Sequence, residues 1–169
     1  AIKSKNYPSV KSAKELAQPL IYLMPEKDYE NLMAIENADS LKQAVDRFWL
    51  RNIGNKGQGR SVIKKFYNRV EEANKQFSNF KEGWKTDPGM MYILLGPPWY
   101  ITERLNEMYW SYSYNRSDPE RNFYFNEPRN KNEFFPFNHY LLRRTQSYFT
   151  VQYQQIDLWL SGLIMRRNL

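Results

Sequence analysis

From Met90 to Leu95 the chain reads Met-Met-Tyr-Ile-Leu-Leu, apolar at every position. A segment of that kind has to be covered on all sides, so whatever fold this sequence adopts must wrap other structure around it. Asp87-Pro88-Gly89 precedes the run and Gly96-Pro97-Pro98 follows it. Met91, Ile93 and Leu95 alternate with Met90, Tyr92 and Leu94, as in a strand buried on both faces. The expectation is a central strand that stops at Gly96-Pro97-Pro98, because neither proline can donate to a ladder.

Helical periodicity supplies the cover. Pro25 and Glu26 suit a first helical turn, since proline has no amide to lose there and an acid complements the helix dipole; this helix runs to about Glu36. Asp39 or Ser40 caps the next, with Leu41, Ala44, Val45, Phe48 and Trp49 along one face. The stretch from Asn52 to Gly59 breaks it. Ser61 then caps a third helix whose stripe is Val62, Phe66, Val70, Ala73 and Phe77, while Lys64, Lys65, Arg69, Glu71 and Glu72 cover the remainder.

After the prolines the period changes to two. Met108, Trp110, Tyr112 and Tyr114 alternate with Tyr109, Ser111 and Ser113, which predicts a half-buried strand with an aromatic inner face. Phe123 to Phe125 and Tyr140 to Arg144 supply further short strands in hairpin-like pairing, separated by the loop from Asn126 to Glu133. From Ser147 to Met165 the period is helical again, with Phe149, Tyr153, Ile156, Leu160 and Leu163 on one face and Trp159 beside it. The class is α+β: N-terminal helices on a mainly antiparallel sheet, with a C-terminal helix. Residues 20–169 read as one domain and 1–19, polar and lysine-rich, as an arm or linker.

The side-chain inventory narrows the chemistry. The absence of cysteine removes disulfides, thiol nucleophiles and cysteine metal sites, and the single histidine, His139, removes multi-histidine metal sites. A charge of +7 favours acidic partners, anionic surfaces or nucleic acid, and 13 Tyr with 5 Trp exceed what a core of this size hides, leaving amphipathic rings for interfaces. No apolar run reaches the length of a membrane span. The polar opening without an initiator Met suggests a processed segment whose signal or anchor lay upstream.

The run Gly83-Trp84-Lys85-Thr86-Asp87, continued through Gly96-Pro97-Pro98, resembles the GWxTD-domain family of Gram-negative bacterial proteins. Tyr67, Arg69, Val70, Ala73 and Asn74 match the helix pattern YxRVxxAN that precedes the motif in that family, and Phe48, Trp49 and Arg51 match an upstream FW-R element. The resemblance is specific between about Asp46 and Pro98. Where the family usually has an acidic residue after the prolines, this chain has Trp99 and Tyr100, so no role for that acid carries over. The resemblance implies an exported protein, periplasmic or outer-membrane associated, with no catalytic activity attached.

Read physically, Asp87-Pro88-Gly89 is turn chemistry, Thr86 caps that turn, Gly83 permits close approach of backbone, and Trp84 is a plug against the third helix or the sheet. The motif residues Gly83, Trp84, Thr86, Asp87, Gly96, Pro97 and Pro98 are thus taken as a structural clasp between helix and strand. The alternative is a ligand site built on Trp84 and Asp87.

Other chemical readings are weaker. Gly54-Asn55-Lys56-Gly57-Gln58-Gly59-Arg60-Ser61 imitates a phosphate loop, but has Arg in the lysine position and follows a helix instead of a strand. His139 reads as hydrogen-bonded structure rather than a catalytic base. Carboxylate pairs such as Asp87 with Glu103 or Glu107 have no diagnostic spacing. The aromatic and basic residues from Tyr112 to Arg129 would suit single-stranded nucleic acid only with a recognition signature, which is missing. The reading taken is a non-enzymatic binding or structural domain, without cofactor or metal, that docks a protein partner in the cell envelope, or another domain of its own chain, through an aromatic and basic surface. Trp99, Tyr100, Arg129 and Lys131 are its candidate residues. A carbohydrate or peptidoglycan ligand is the alternative, with an uncharacterised hydrolase or nucleic-acid binding behind it.

Overall fold

A computed structural model of the chain describes residues 3–54, 56–128 and 139–166. Among these, the helices are α1 (Ala13–Ala17), α2 (Glu26–Met33), α3 (Ala38–Asn52), α4 (Lys56–Phe77), α5 (Asp87–Leu95) and α6 (Gln146–Ser161), and the strands are β1 (Tyr100–Arg104), β2 (Glu107–Ser111), β3 (Asn122–Asn126) and β4 (Leu141–Leu142). Short 3-10 turns occupy Gln18–Tyr22, Gly83–Lys85 and Leu163–Met165. The four strands form one antiparallel sheet in the order β1-β2-β3-β4, with Trp110 opposite both Ile101 and Phe123. The fold is α+β, with a C-terminal helix.

The stripes of α3 and α4 sit where their periodicity puts them. Leu41, Val45 and Trp49 are buried, as are Val62, Phe66, Val70 and Ala73. Trp49 and Phe66 meet edge to face at 5.3 Å, and Phe66 meets Trp159 of α6 at 5.4 Å, so α4 joins the N- and C-terminal helices. One face of the sheet, carrying Met108, Trp110, Tyr112, Phe123 and Phe125, packs on this helical layer. Phe77 of α4 touches Trp110 and Tyr148 of α6 touches Phe123.

The central apolar run is a helix, not a strand. Thr86 accepts the Gly89 amide as N-cap of α5, Pro88 stands in its first turn, and Gly96 closes it with a positive φ of 93°. Met90, Met91, Ile93, Leu94 and Leu95 are all buried and Tyr92 is half-buried. A fully enclosed helix needs no polar stripe, so its sequence loses the periodicity that distinguishes helix from strand. The deciding signals are the capping threonine, the proline in the first turn and the terminal glycine.

Three further expectations are corrected. Helix α4 starts at Lys56 instead of being capped by Ser61, so Gly57 to Ser61 of the phosphate-loop look-alike are helical. In α6 the buried face is Tyr148, Val151, Gln155 and Trp159, while Phe149 is exposed and Tyr153 is 69% exposed. The stripe is rotated because the amphipathic rings at 148 and 159 find internal contacts: Trp159 Nε1 donates to the Leu94 carbonyl at 3.1 Å and Tyr148 meets Phe123 edge to face. The segment expected as an arm carries α1, opened by a Ser12–Glu15 capping box, and buries Glu15 and Ala17. Burial works against the Glu15 charge, but amide hydrogen bonds from Ser12 and Lys11 and one from Asn6 Nδ2 outweigh it and hold the carboxyl at about 2.

Candidate functional site

Two regions can be considered: the motif around α5 and the face of the sheet turned away from the helices.

At the motif, close approach of backbone comes first. A Cβ on Gly83 would lie 1.9 Å from the Ala73 carbonyl oxygen of α4, and a Cβ on Gly89 would lie 1.9 Å from the Gly83 carbonyl oxygen. Only glycine fits at either position. Thr86 Oγ1 donates to that same Gly83 carbonyl at 2.7 Å while accepting the Gly89 amide at 3.0 Å, which closes the turn on itself. Trp84 is buried against Tyr22; its amide donates to Asn74 Oδ1 at 3.1 Å, its indole NH to Glu82 Oε2 at 3.0 Å, and its carbonyl accepts the Tyr22 hydroxyl at 2.6 Å. Asp87 accepts the Leu142 amide at 2.7 Å and a two-pronged ion pair from Arg144, fixing the start of α5 to β4 and the approach to α6.

The far end of α5 is closed with equal completeness. Arg69 of α4 donates to the Ile93 carbonyl at 3.0 Å, Trp159 to that of Leu94, and the Tyr112 hydroxyl to that of Gly96 at 2.8 Å. These are the orphan carbonyls of a helix C-terminus, and a guanidinium there also complements the helix dipole. Burial lowers Arg69 to about 10, which still leaves it charged at neutral pH, and raises Tyr112. Of the residues resembling YxRVxxAN, Ala73 and Asn74 meet the GWxTD residues directly, and Tyr67 and Arg69 hold the segments around them. Tyr67 donates to the Leu16 carbonyl, Arg69 caps α5, Ala73 receives Gly83, and Asn74 holds the Trp84 amide with Oδ1 and the Pro8 carbonyl with Nδ2.

The N-terminal strap completes the arrangement: the Ser4 amide donates to Glu82 Oε1 at 2.7 Å, and the Tyr7 hydroxyl to the Asn74 carbonyl at 2.6 Å. Every motif side chain with hydrogen-bonding capacity thus has an internal partner. These contacts tie α5 to α4 at Gly83 and, through Asp87, to β4. Pro97 is exposed and Pro98 half-buried where the chain leaves α5 for β1.

The other region is the outer face of the sheet. Tyr109 and Tyr124 lie against each other at 4.8 Å, with Arg143 over the Tyr124 ring at 5.2 Å. Two clefts of about 150 and 180 Å³ flank Tyr109; Thr102, Tyr109 and Arg116 line both, Arg104 and Tyr124 the first, Tyr100 and Tyr114 the second. Neither Arg104 nor Arg116 forms an ion pair among the described residues, whereas Arg143 faces Glu107 at 3.4 Å.

Trp99 and Tyr100 are exposed and both pack on Tyr114, at 5.2 and 6.3 Å. Arg129 and Lys131 lie outside the described residues. His139 contacts Asn79 and the edge of Phe80, and burial lowers its pKa. Among the described residues, no group of three or more His, Asp or Glu side chains is placed to hold a metal ion. No helix there is long and apolar enough to cross a membrane. Arg116 lies in the aromatic and basic stretch that the sequence singles out, whereas Arg104 stands on a strand that the sequence reading left unassigned; the alternation Tyr100, Thr102, Arg104 was the available signal.

No curated protein and no solved structure matches the chain. A protein-family profile described as the GWxTD domain matches residues 1–161, and so takes in the strap, the α4 pattern, the clasp and all of α6. With that coverage, and with both halves of the signature meeting around one buried helix, the chain belongs to the GWxTD-domain family.

Proposed function

We propose that this domain is a non-catalytic docking module of an exported cell-envelope protein, periplasmic or outer-membrane associated, and that it holds a protein partner on the open face of its sheet. The observation that carries the reading is the division of labour between the two regions. Motif groups that a catalyst would aim at a substrate, Asp87 and Thr86 above all, are engaged in holding α5. The outer sheet face instead offers tyrosine rings beside Arg104 and Arg116, a combination enriched at protein interfaces. The surplus of positive charge suits an acidic partner surface.

The test replaces Arg104 and Arg116 together by glutamate and compares capture of partners from envelope fractions with that of the wild type. Because both side chains are exposed, the melting temperature should stay put while the captured partner is lost. Equal capture by both forms overturns the reading. The tyrosine-lined clefts also support a second reading, a cell-wall glycan stacked on Tyr100, Tyr109 or Tyr114. Retention on purified peptidoglycan that Tyr109→Ala abolishes would favour it over the protein partner.

A further inference from the structure

Among the described residues, strand β1 is exposed along its whole length and forms one end of the sheet, with no strand beside one row of its backbone amides and carbonyls. The large apolar residues around it are unusually open: Leu105 is 91% exposed, Tyr100 52%, Ile101 50% and Trp99 48%. An edge of this kind invites a further strand, and the order of its side chains identifies which.

We propose that β1 pairs with β1 of a second copy of this chain, antiparallel about a two-fold axis at Thr102, to make one continuous sheet across two molecules. The register follows from the hairpin. Arg104 and Glu107 face each other across the two-residue turn Leu105-Asn106, which makes them a closely bonded pair. By the alternation of an antiparallel ladder, Tyr100, Thr102 and Arg104 then bond to β2, and Ile101 and Glu103 turn their backbone groups to the open edge. Those are the groups that two copies can exchange: Ile101 of one with Glu103 of the other, twice by symmetry, with Thr102 opposite its own symmetry mate.

In that register the side chains match. Beyond the strand, Trp99 donates its amide to the Ser111 carbonyl and rests its ring on Tyr114, so the matched positions are those of β1 alone. Tyr100 falls opposite Arg104, an aromatic and cationic pair on the outer face. Thr102 meets Thr102, a cross-strand pair that is favourable in sheets. No like charges stand opposite each other. A shift of the centre to Glu103 would set that carboxylate against its own copy, and a shift to Ile101 would place Arg104 opposite Pro98, which has no amide to pair. The pairing engages the backbone of the edge but shares Tyr100, Thr102 and Arg104 with the outer face, so its test reads cross-linking and oligomeric state, not partner capture.

The lack of cysteine makes the test clean. Thr102→Cys introduces one thiol, and across a non-hydrogen-bonded pair on the axis the two Cα atoms would stand about 4.5 Å apart, within disulfide reach. Under mild oxidation it should form covalent dimer at least about a hundredfold faster than Leu50→Cys, an exposed site on α3, because paired thiols see a much higher effective concentration than colliding ones. Arg104→Cys alone should not cross-link at this rate, whereas Arg104→Cys mixed with Tyr100→Cys should.

Thr102→Lys, which sets two ammonium groups against each other, should move the sedimentation coefficient from dimer to monomer without changing the melting temperature. Cross-linking of Thr102→Cys no faster than Leu50→Cys, or a wild type that sediments as monomer across the whole concentration series, overturns the proposal.

Discussion

Removing the indole of Trp84 tests the clasp most directly. The ring is 7% exposed, meets Tyr22 edge to face at 6.1 Å and lies beneath the Lys85 ammonium. A tryptophan buries about 150 to 250 Å² on folding, worth about 4 to 6 kcal/mol at 25 cal/mol per Å². Core Trp→Ala changes cost about 3 to 5 kcal/mol once partial collapse is allowed for. Trp84→Ala should therefore remove about 4 kcal/mol from a total of about 5 to 15, enough to bring the domain near its unfolding midpoint.

Trp84→Phe separates packing from the polar bond. It keeps most of the apolar contact and loses only the donor to the buried Glu82, which retains Ser4 and Lys85, so about 1 to 2 kcal/mol is expected. Urea titration followed by circular dichroism reads both variants, free of the signal from the other four tryptophans. A Trp84→Ala midpoint within about 0.5 kcal/mol of wild type would refute the plug and reopen Trp84 as a ligand platform.

Gly83→Ala and Gly89→Ala should each prevent stable folding, since the added methyl meets a backbone oxygen that cannot swing aside, while Gly54→Ala, with nothing within 4 Å, should leave the midpoint within about 0.5 kcal/mol. Thr86→Ala should cost about 1 to 2 kcal/mol through loss of the α5 cap, and Thr86→Ser, which keeps both hydrogen bonds, much less; thermal melts of the pair check this. Glu15 has a folded pKa of about 2 against 4.5 for the ordinary side chain, so its stabilisation is fully present above about pH 4.5 and is lost as pH falls toward 2. Urea midpoints between pH 5 and pH 2 should fall more steeply for wild type than for Glu15→Gln, and equal slopes would refute the role of that carboxyl.

What the sequence determined by itself is whatever local chemistry dictates. The stripes of α3 and α4, the alternation of β2 and the short apolar strand β3 each put unlike residues on unlike faces, so a period survives in the letters. The clasp was also legible in outline, because glycine, threonine, aspartate and proline in close order have few geometric uses other than a tight, capped turn.

Only tertiary structure decided the rest. Helix α5 is enclosed by α4, α6 and the sheet, and an apolar residue at every position from Met90 to Leu95, all buried but the half-buried Tyr92, erases the pattern that would have told helix from strand. The buried face of α6 was settled by partners distant in sequence: the Leu94 carbonyl that takes the Trp159 indole and the Phe123 ring against Tyr148. The N-terminal stretch looked like an arm because its bonds, from Ser4 to Glu82 and from Tyr7 to Asn74, cross most of the domain's first half, and single polar residues carry no sign of where a distant partner stands. The open edge at β1 exists for the same reason: whether a short aromatic strand ends inside a sheet or at its rim depends on how many strands the rest of the chain supplies, and that is fixed only when the sheet assembles.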